Sequence, residues 1–306
     1  MNPEMAAINN LDSRKRGDDI KDTLDLLLPI YPKVAQIMDK ISIKRADFID
    51  LYGEESINRD NAYVAKREAQ FAAEANDAGP NGLTKGETKK IGTIAEFQLI
   101  RGINMGMWLP GMCAQKTDPA DDIGGGFDSV LEYHSEHTSS HIGLGVDVSF
   151  SHNLQDKYRR AKDDIDKFGT TTTDTSGRTT LNQLGKVKYY KSKESGFRGE
   201  LTGLPRTVVA LDLGIIEDLA RTKNNNQLRV HIAKHTVILQ IEHQLAVYAD
   251  YAEKVNPACL DKILRAQTLI KMISKVTNSH EIVKQSGYHK NDQIEEAIDR
   301  GLALFR

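Results

Sequence analysis

Cysteine is nearly absent: the 306 residues contain two, Cys113 and Cys259, in unrelated segments. Two isolated thiols make neither a disulfide framework nor a zinc motif, so a reducing compartment, the cytoplasm, is the expectation. Long apolar runs are missing as well. Leu24 to Leu28 stops at Pro29, and Ile238 to Ala249 is interrupted by Gln240, Glu242, His243 and Gln244. Neither approaches the roughly 20 apolar residues of a membrane-spanning helix, so no membrane partner is expected. Near the N-terminus, Arg14-Lys15-Arg16 leads into Gly17 and two aspartates, not into the apolar stretch of a secretory leader. Neither sign of charge dominates, with 41 basic against 43 acidic residues and a formal net charge of −2. No global field draws the chain to nucleic acid, and any such contact has to be local. What is present is an ordinary globular composition, 39% hydrophobic with 23 glycines, on a chain long enough for a core with appended elements. A soluble enzyme, a binding module and a helical interaction protein all fit it.

The hydrophobic period divides the chain into three parts. Residues 1–82 read as a helical segment: an amphipathic stripe at Ile20, Leu24, Leu27 and Leu28 breaks near Tyr31 between Pro29 and Pro32, then resumes through Ile41. A polar helix over Ser56–Ala75 follows, and the cluster Asn76 to Gly82 marks a boundary. Residues 83–213 read as an α/β core. Thr84 and Glu87 form a capping box that opens a helix to about Gly106. The stretch Met107–Asp122 reads as irregular, and strands are expected at 127–134 and 142–151, the latter strictly alternating. A charged helix over Asn153–Phe168, a threonine-rich loop, and strands near Lys186–Ser192 and Arg206–Leu213 complete the core. Residues 214–306 are helical, with breaks at Asn256-Pro257 and before a last helix near 291–305. The apolar arc around Ile232 to Val247 is wide enough for a helix buried among others or for a homodimer seam. The fold class is thus α/β, a mixed central sheet of about four to five strands between two helical flanks.

The segment Asp121 to Glu132, which carries Gly124-Gly125-Gly126 and Asp128, and the strand Gly145-Val146-Asp147-Val148-Ser149 place several carboxylates on neighbouring strands. If these strands pair, Asp128 or Glu132 comes within reach of Asp147. Carboxylates converging on a buried sheet are costly to ionise without a cation, and hard ions such as Mg²⁺ or Mn²⁺ prefer such ligands. Asp128, Asp147 and Glu132 are therefore the candidate metal ligands. Equally, Asp147 can cap a loop and Glu132 can face solvent.

A helix with Glu96, a strand with Asp128, a strand with Asp147, a helix and a lysine-rich strand form an order that resembles the αβββαβ core of the PD-(D/E)XK, or restriction-endonuclease-like, nucleases. The resemblance covers roughly residues 88–213. It implies a Mg²⁺-dependent nuclease in which Glu96 matches the helix Glu, Asp128 the metal-binding Asp, and Asp147 the acidic position of the acidic-x-Lys tripeptide. Ser149 stands where the tripeptide has its lysine. Either the lysine has migrated to Lys186 or Lys188, or the fold is kept and catalysis lost. In the first case Lys186 or Lys188 would stabilise hydroxide or the charge building on phosphorus, and Glu96 would orient water.

Lys186, Lys188, Lys191 and Lys193, interleaved with Tyr189 and Tyr190, form a local basic patch suited to DNA or RNA phosphates, or alternatively a lysine-protected sheet edge. His134, His137 and His141 have a spacing that could serve Zn²⁺, yet they fall where a hairpin loop is expected, and loops run over the surface. The expectation is a metal-dependent nuclease-like protein; the alternative is a non-enzymatic helical binding or scaffold protein with a structural α/β core.

Overall fold

The computed structural model describes residues 20–79, 82–134, 139–148, 154–173, 179–286 and 293–306. It is a mixed α/β protein in which helix predominates. Helix α1 (Ile20–Ile41) leads through a short 3₁₀ turn into α2 (Ile49–Ala73) and then α3 (Lys85–Asn104). Strand β1 (Met112–Lys116), the short helix α4 (Pro119–Gly125), β2 (Ser129–His134) and β3 (Ser139–Val148) follow, then α5 (Gln155–Lys167). Two hairpins come next, β4 (Thr171–Thr173) with β5 (Thr179–Leu181), and β6 (Gly185–Lys191) with β7 (Arg198–Leu204). After β8 (Arg206–Leu211) the chain is helical: α6 (Leu213–Arg221), α7 (Asn225–Arg229), α8 (Ala233–Val255), α9 (Leu260–Val276), α10 (Ser279–Ser286) and α11 (Gln293–Leu302).

The sheet content differs from the single central sheet expected from the sequence. One four-stranded sheet has the order β1-β2-β3-β8, and the β4–β5 and β6–β7 pairs stand apart from it. β1, β2 and β3 form an antiparallel meander, and β8 joins β3 in parallel, Gly143 opposite Arg206 through Val148 opposite Leu211. Among the described residues, the lysine-rich strand β6 pairs only with β7. Its buried Val187, Tyr189 and Tyr190 belong to a separate small core with Phe48, Ile57, Phe127 and Val130. The main core draws on all three sequence segments, including Leu27 and Val34 of α1, Leu99 of α3, Leu131 of β2, Ile238 of α8, Ile270 of α9 and Phe305.

Two local readings are corrected. α1 does not break near Tyr31 but continues with Pro29 and Pro32 inside it. A proline removes one helical hydrogen bond and bends the helix, yet Leu27, Val34 and Met38 are all buried in the main core, and their packing outweighs that loss. Met107–Asp122, read as irregular, contains β1 and α4. β1 has the burial of a covered strand and lacks alternation, which leaves no period to read. The capping box is present: the Thr84 hydroxyl accepts from Glu87 N–H at 3.1 Å, and the Glu87 carboxylate accepts from Thr84 N–H at 2.8 Å. No helix among the described residues is long and apolar enough to cross a membrane.

β8 lies at the edge of its sheet, and an edge exposes unpaired backbone groups. Helix α8 covers them with two glutamines. Gln244 accepts from Val208 N–H at 2.8 Å and donates to Val208 C=O at 2.7 Å, and Gln240 does the same for Ala210, both at 3.0 Å. The geometry matches because four helical residues rise about 6 Å and two strand residues about 6.6 Å. Replacing Gln244 by Leu leaves a buried donor and acceptor unsatisfied. Urea unfolding of Gln244→Leu should show a loss of about 1–3 kcal/mol; an unchanged midpoint would mean that the edge is satisfied without the amide.

Candidate active site

α4 organises the site. Asp118 caps it by accepting from Ala120 N–H at 2.8 Å, and Pro119, which has no N–H to satisfy, occupies the first turn. Its last turn closes on Gly126 in the left-handed region (φ 68°), where a Cβ would collide with the Arg160 guanidinium. In one turn the helix points two adjacent aspartates in opposite directions. Asp121 turns to the β6–β7 hairpin and accepts from the N–H groups of Lys188 (2.7 Å) and Tyr189 (2.9 Å). Asp122 turns to the main sheet, where its carboxylate meets the Lys116 ammonium at 2.7 Å.

Lys116, at the end of β1, lies under α3 and is itself buried. Its Nζ is also 2.8 Å from Glu96 Oε1. That oxygen is buried, and Lys116 is its polar neighbour among the described residues. Ser129, opposite Lys116 in the ladder, has a buried hydroxyl without a hydrogen-bond partner among the described residues. Asp128 completes the group from the turn before β2, where its carboxyl lies beside that of Asp122. Burial pushes the Glu96 carboxyl up to about 8 despite Lys116, and Asp128 and Asp122 add to the rise. Burial also raises Asp122, reinforced by the adjacent Asp128 and opposed by Lys116. For Lys116, burial opposes the charged form, but Glu96, Asp122 and Asp128 together hold the ammonium protonated. These are the marks of a site in which like charges are kept close at a cost.

The cluster forms the floor of a cleft of about 560 Å³. Lys89, Thr93 and Glu96, spaced four and three apart, run down one face of α3 from rim to floor. Arg67 and Phe71 of α2 stand on the same side, and Lys157 and Arg160 of α5 form the other. Arg206 is fixed beneath: Nε is 3.0 Å from Asp164, Nη1 donates to the carbonyls of Gly125 and Gly126, and the guanidinium lies 3.9 Å from the Phe127 ring centre.

Of the residues singled out in the sequence, Glu96 and Asp128 come together here. Asp147 is placed by its backbone in β3 opposite Ala210, and its side chain lies outside the described residues. Glu132 does not join them. Side chains alternate along β2, so Leu131 faces the main core while Glu132 faces the hairpin, fully buried. There it accepts from the Ser192 hydroxyl at 2.5 Å and lies 3.6 Å from His141 Nε2 and 3.9 Å from Cys113 Sγ. Lys186 and Lys188 do not join them either. Lys186 is 3.3 Å from Glu200, and Lys188 is 2.6 Å from Asp60 and 2.9 Å from Ser56. Lys191 pairs with Asp47 at 3.6 Å, and Lys193 is exposed. Most of the basic patch is thus matched by acids of the N-terminal helices and of β7. His137 lies outside the described residues. Sequence reading passed over Lys116 because its strand had no period. Asp122 was not singled out either, although Asp118-Pro119 just upstream carries a helix-start signal.

A carboxyl with a raised folded pKa stabilises the fold when protonated. The Glu96 contribution is complete below its ordinary value of 4.5 and is lost as pH rises through about 8. Glu96→Gln should therefore unfold at higher denaturant than wild type above pH 8, and the gap should close toward pH 4, with chelator present throughout. A gap independent of pH would show that Glu96 does not titrate in this range. No protein-family model, no curated protein and no solved structure matches the chain.

Proposed function

We propose that this protein is a divalent-cation-dependent hydrolase of nucleic-acid phosphodiester bonds, with Glu96, Lys116, Asp122 and Asp128 as its reactive group. One observation carries the reading: three carboxyl groups, Glu96 buried and Asp122 and Asp128 half-buried, surround a single lysine at the bottom of a cleft whose walls bear Arg67, Lys89, Lys157 and Arg160. A lysine balances one of three carboxylates. Two formal negative charges remain when all are ionised, and one divalent cation cancels them.

The donor set suits such an ion. Asp122 and Asp128 are close enough that the charge of Asp128 raises the Asp122 carboxyl, and a hard cation between them would relieve that repulsion. Among the described residues no three His, Cys, Asp or Glu side chains are grouped to hold a metal ion. Mg²⁺ commonly takes only one or two carboxylates and keeps its other positions for water and substrate phosphate. When bound, Mg²⁺ or Mn²⁺ supplies Lewis acidity toward a phosphodiester oxygen. Asp122 and Asp128 would hold the ion. Lys116 donates to the phosphate oxygen on which charge builds as water attacks phosphorus and the P–O bond to the leaving group breaks. Glu96 positions Lys116 from the helix side, and the basic walls attract the polyanion. The succession α3, β1-β2-β3 meander, α5 and parallel β8 supports the αβββαβ resemblance, with Lys116 in the role that the sequence offered to Lys186 or Lys188.

The second reading, a binding protein whose ion cluster is structural, is favoured by the lack of such a group among the described residues. The two separate in a cleavage assay on single- and double-stranded DNA and RNA with Mg²⁺, Mn²⁺ or chelator. Cleavage should require the cation and fall at least about a hundredfold in Asp128→Asn and in Lys116→Met, with each variant still cooperatively folded. Asp147→Ala tests the remaining acidic position. Absence of cleavage by folded wild type with either ion would replace the hydrolase by the binding protein.

A further inference from the structure

The floor of the cleft is recessed. Glu96 and Lys116 side chains are each 10% exposed and Asp122 33%, so a phosphate has to descend between the α2–α3 wall and α5 to reach them. A space of about 560 Å³ falls in the range of roughly 300–1,000 Å³ that takes small ligands. It admits a nucleotide or two of one strand and is too small for a duplex.

Several surface lysines are matched by acids, Lys85 by Glu74 and Asp77, Lys162 by Asp166, Lys167 by Asp163 and Lys186 by Glu200. Arg67, Lys89 and Arg160, all lining the cleft, have no carboxylate within ion-pair distance among the described residues. Arg67 and Lys89 instead gather at one aromatic ring, with Arg67 Cζ 5.0 Å and Lys89 Nζ 4.7 Å from the centre of Phe71. Phe71 is half-buried and lines the same cleft. Cations left without acids beside an aromatic ring are the elements with which proteins hold single strands, the cations for the backbone and the ring for a base.

We infer that the substrate is single-stranded nucleic acid, its backbone held between Arg67 and Lys89 on one wall and Arg160 on the other, with a base against Phe71. The inference rests on the reading that the floor of this cleft hydrolyses phosphodiesters, but binding tests it separately from cleavage. The full chain carrying Asp128→Asn, in chelator, is titrated against end-labelled DNA and RNA strands of about twelve nucleotides and against a blunt DNA duplex of the same sequence, read by fluorescence anisotropy. At least one of the two strands should bind about tenfold or more tighter than the duplex. Phe71→Ala and Arg160→Gln should each weaken strand binding about tenfold, and Arg160→Gln should also reduce the salt slope by about 0.7. Where Phe71→Ala melts early, Phe71→Leu keeps the apolar bulk and removes the aromatic face.

Duplex binding as tight as strand binding, or strand affinity unmoved in both folded variants, overturns the inference. Cleavage by wild type distinguishes the two levels. A duplex cut as fast as a strand overturns the single-strand assignment and leaves the hydrolase standing. Tight, Phe71-dependent strand binding without cleavage in Mg²⁺ or Mn²⁺ overturns the hydrolase and supports the strand cleft.

Discussion

The Lys116 ammonium, enclosed by the carboxyl groups of Glu96, Asp122 and Asp128, is the interaction on which the centre of this molecule turns. Each group comes from a different element: α3, β1, α4 and the turn before β2. A buried charge that loses its partner is left uncompensated at a cost of several kcal/mol, so the ion cluster ties the helix, the sheet edge and the short helix into one register. It is not an economical way to stabilise a core, since apolar side chains of similar volume commonly do as well or better. Three carboxyl groups for one lysine, with Ser129 Oγ lacking a hydrogen-bond partner among the described residues, is an arrangement whose polarity is spent on something other than holding the fold.

α4 then distributes polarity to two sides. Through Asp122 it completes the cluster, and through Asp121 it docks the backbone of β6. Burial pushes Asp121 up to about 6, against the pull of the two N–H groups that it accepts from. Glu132, one strand away on the other sheet face, meets the same hairpin through Ser192. The hairpin is thereby a cover of the sheet, not an extension of it, and its lysines reach outward to Asp60, Glu200 and Asp47. The opposite edge is closed by Gln240 and Gln244, which occupy the outward-facing groups of β8 much as a further strand would. One face of the sheet is thus covered by the hairpin and its β8 edge is closed by side-chain amides, and the cleft between α2, α3 and α5 leads to the ion cluster.

Much of the helical framework was legible in local chemistry. The Thr84–Glu87 box opens α3 where it was expected, and the charged amphipathic helix appears as Gln155–Lys167. Glu96 was named by the resemblance and Asp128 by the carboxylates on neighbouring strands; both lie at the floor of the cleft. Lys116 was not legible because β1 is covered on both sides and shows no alternation. The lysines of β6 drew notice by their density, yet density along a chain says nothing about which acids fold back onto it.

By itself, the amino-acid sequence determined the places where local forces suffice: helix caps, turns, the period of β2 and β3, and the absence of a membrane-spanning run. The tertiary structure alone decided which of several acids and lysines share one buried space. It split the strands between a four-stranded sheet and separate hairpins, kept α1 helical through two prolines, and sent Asp121 and Asp122 to opposite partners. Local preferences act over a few residues and amount to a kcal/mol or less each. The cost of an unpaired buried charge is several times larger, and it is settled only when segments distant in sequence meet.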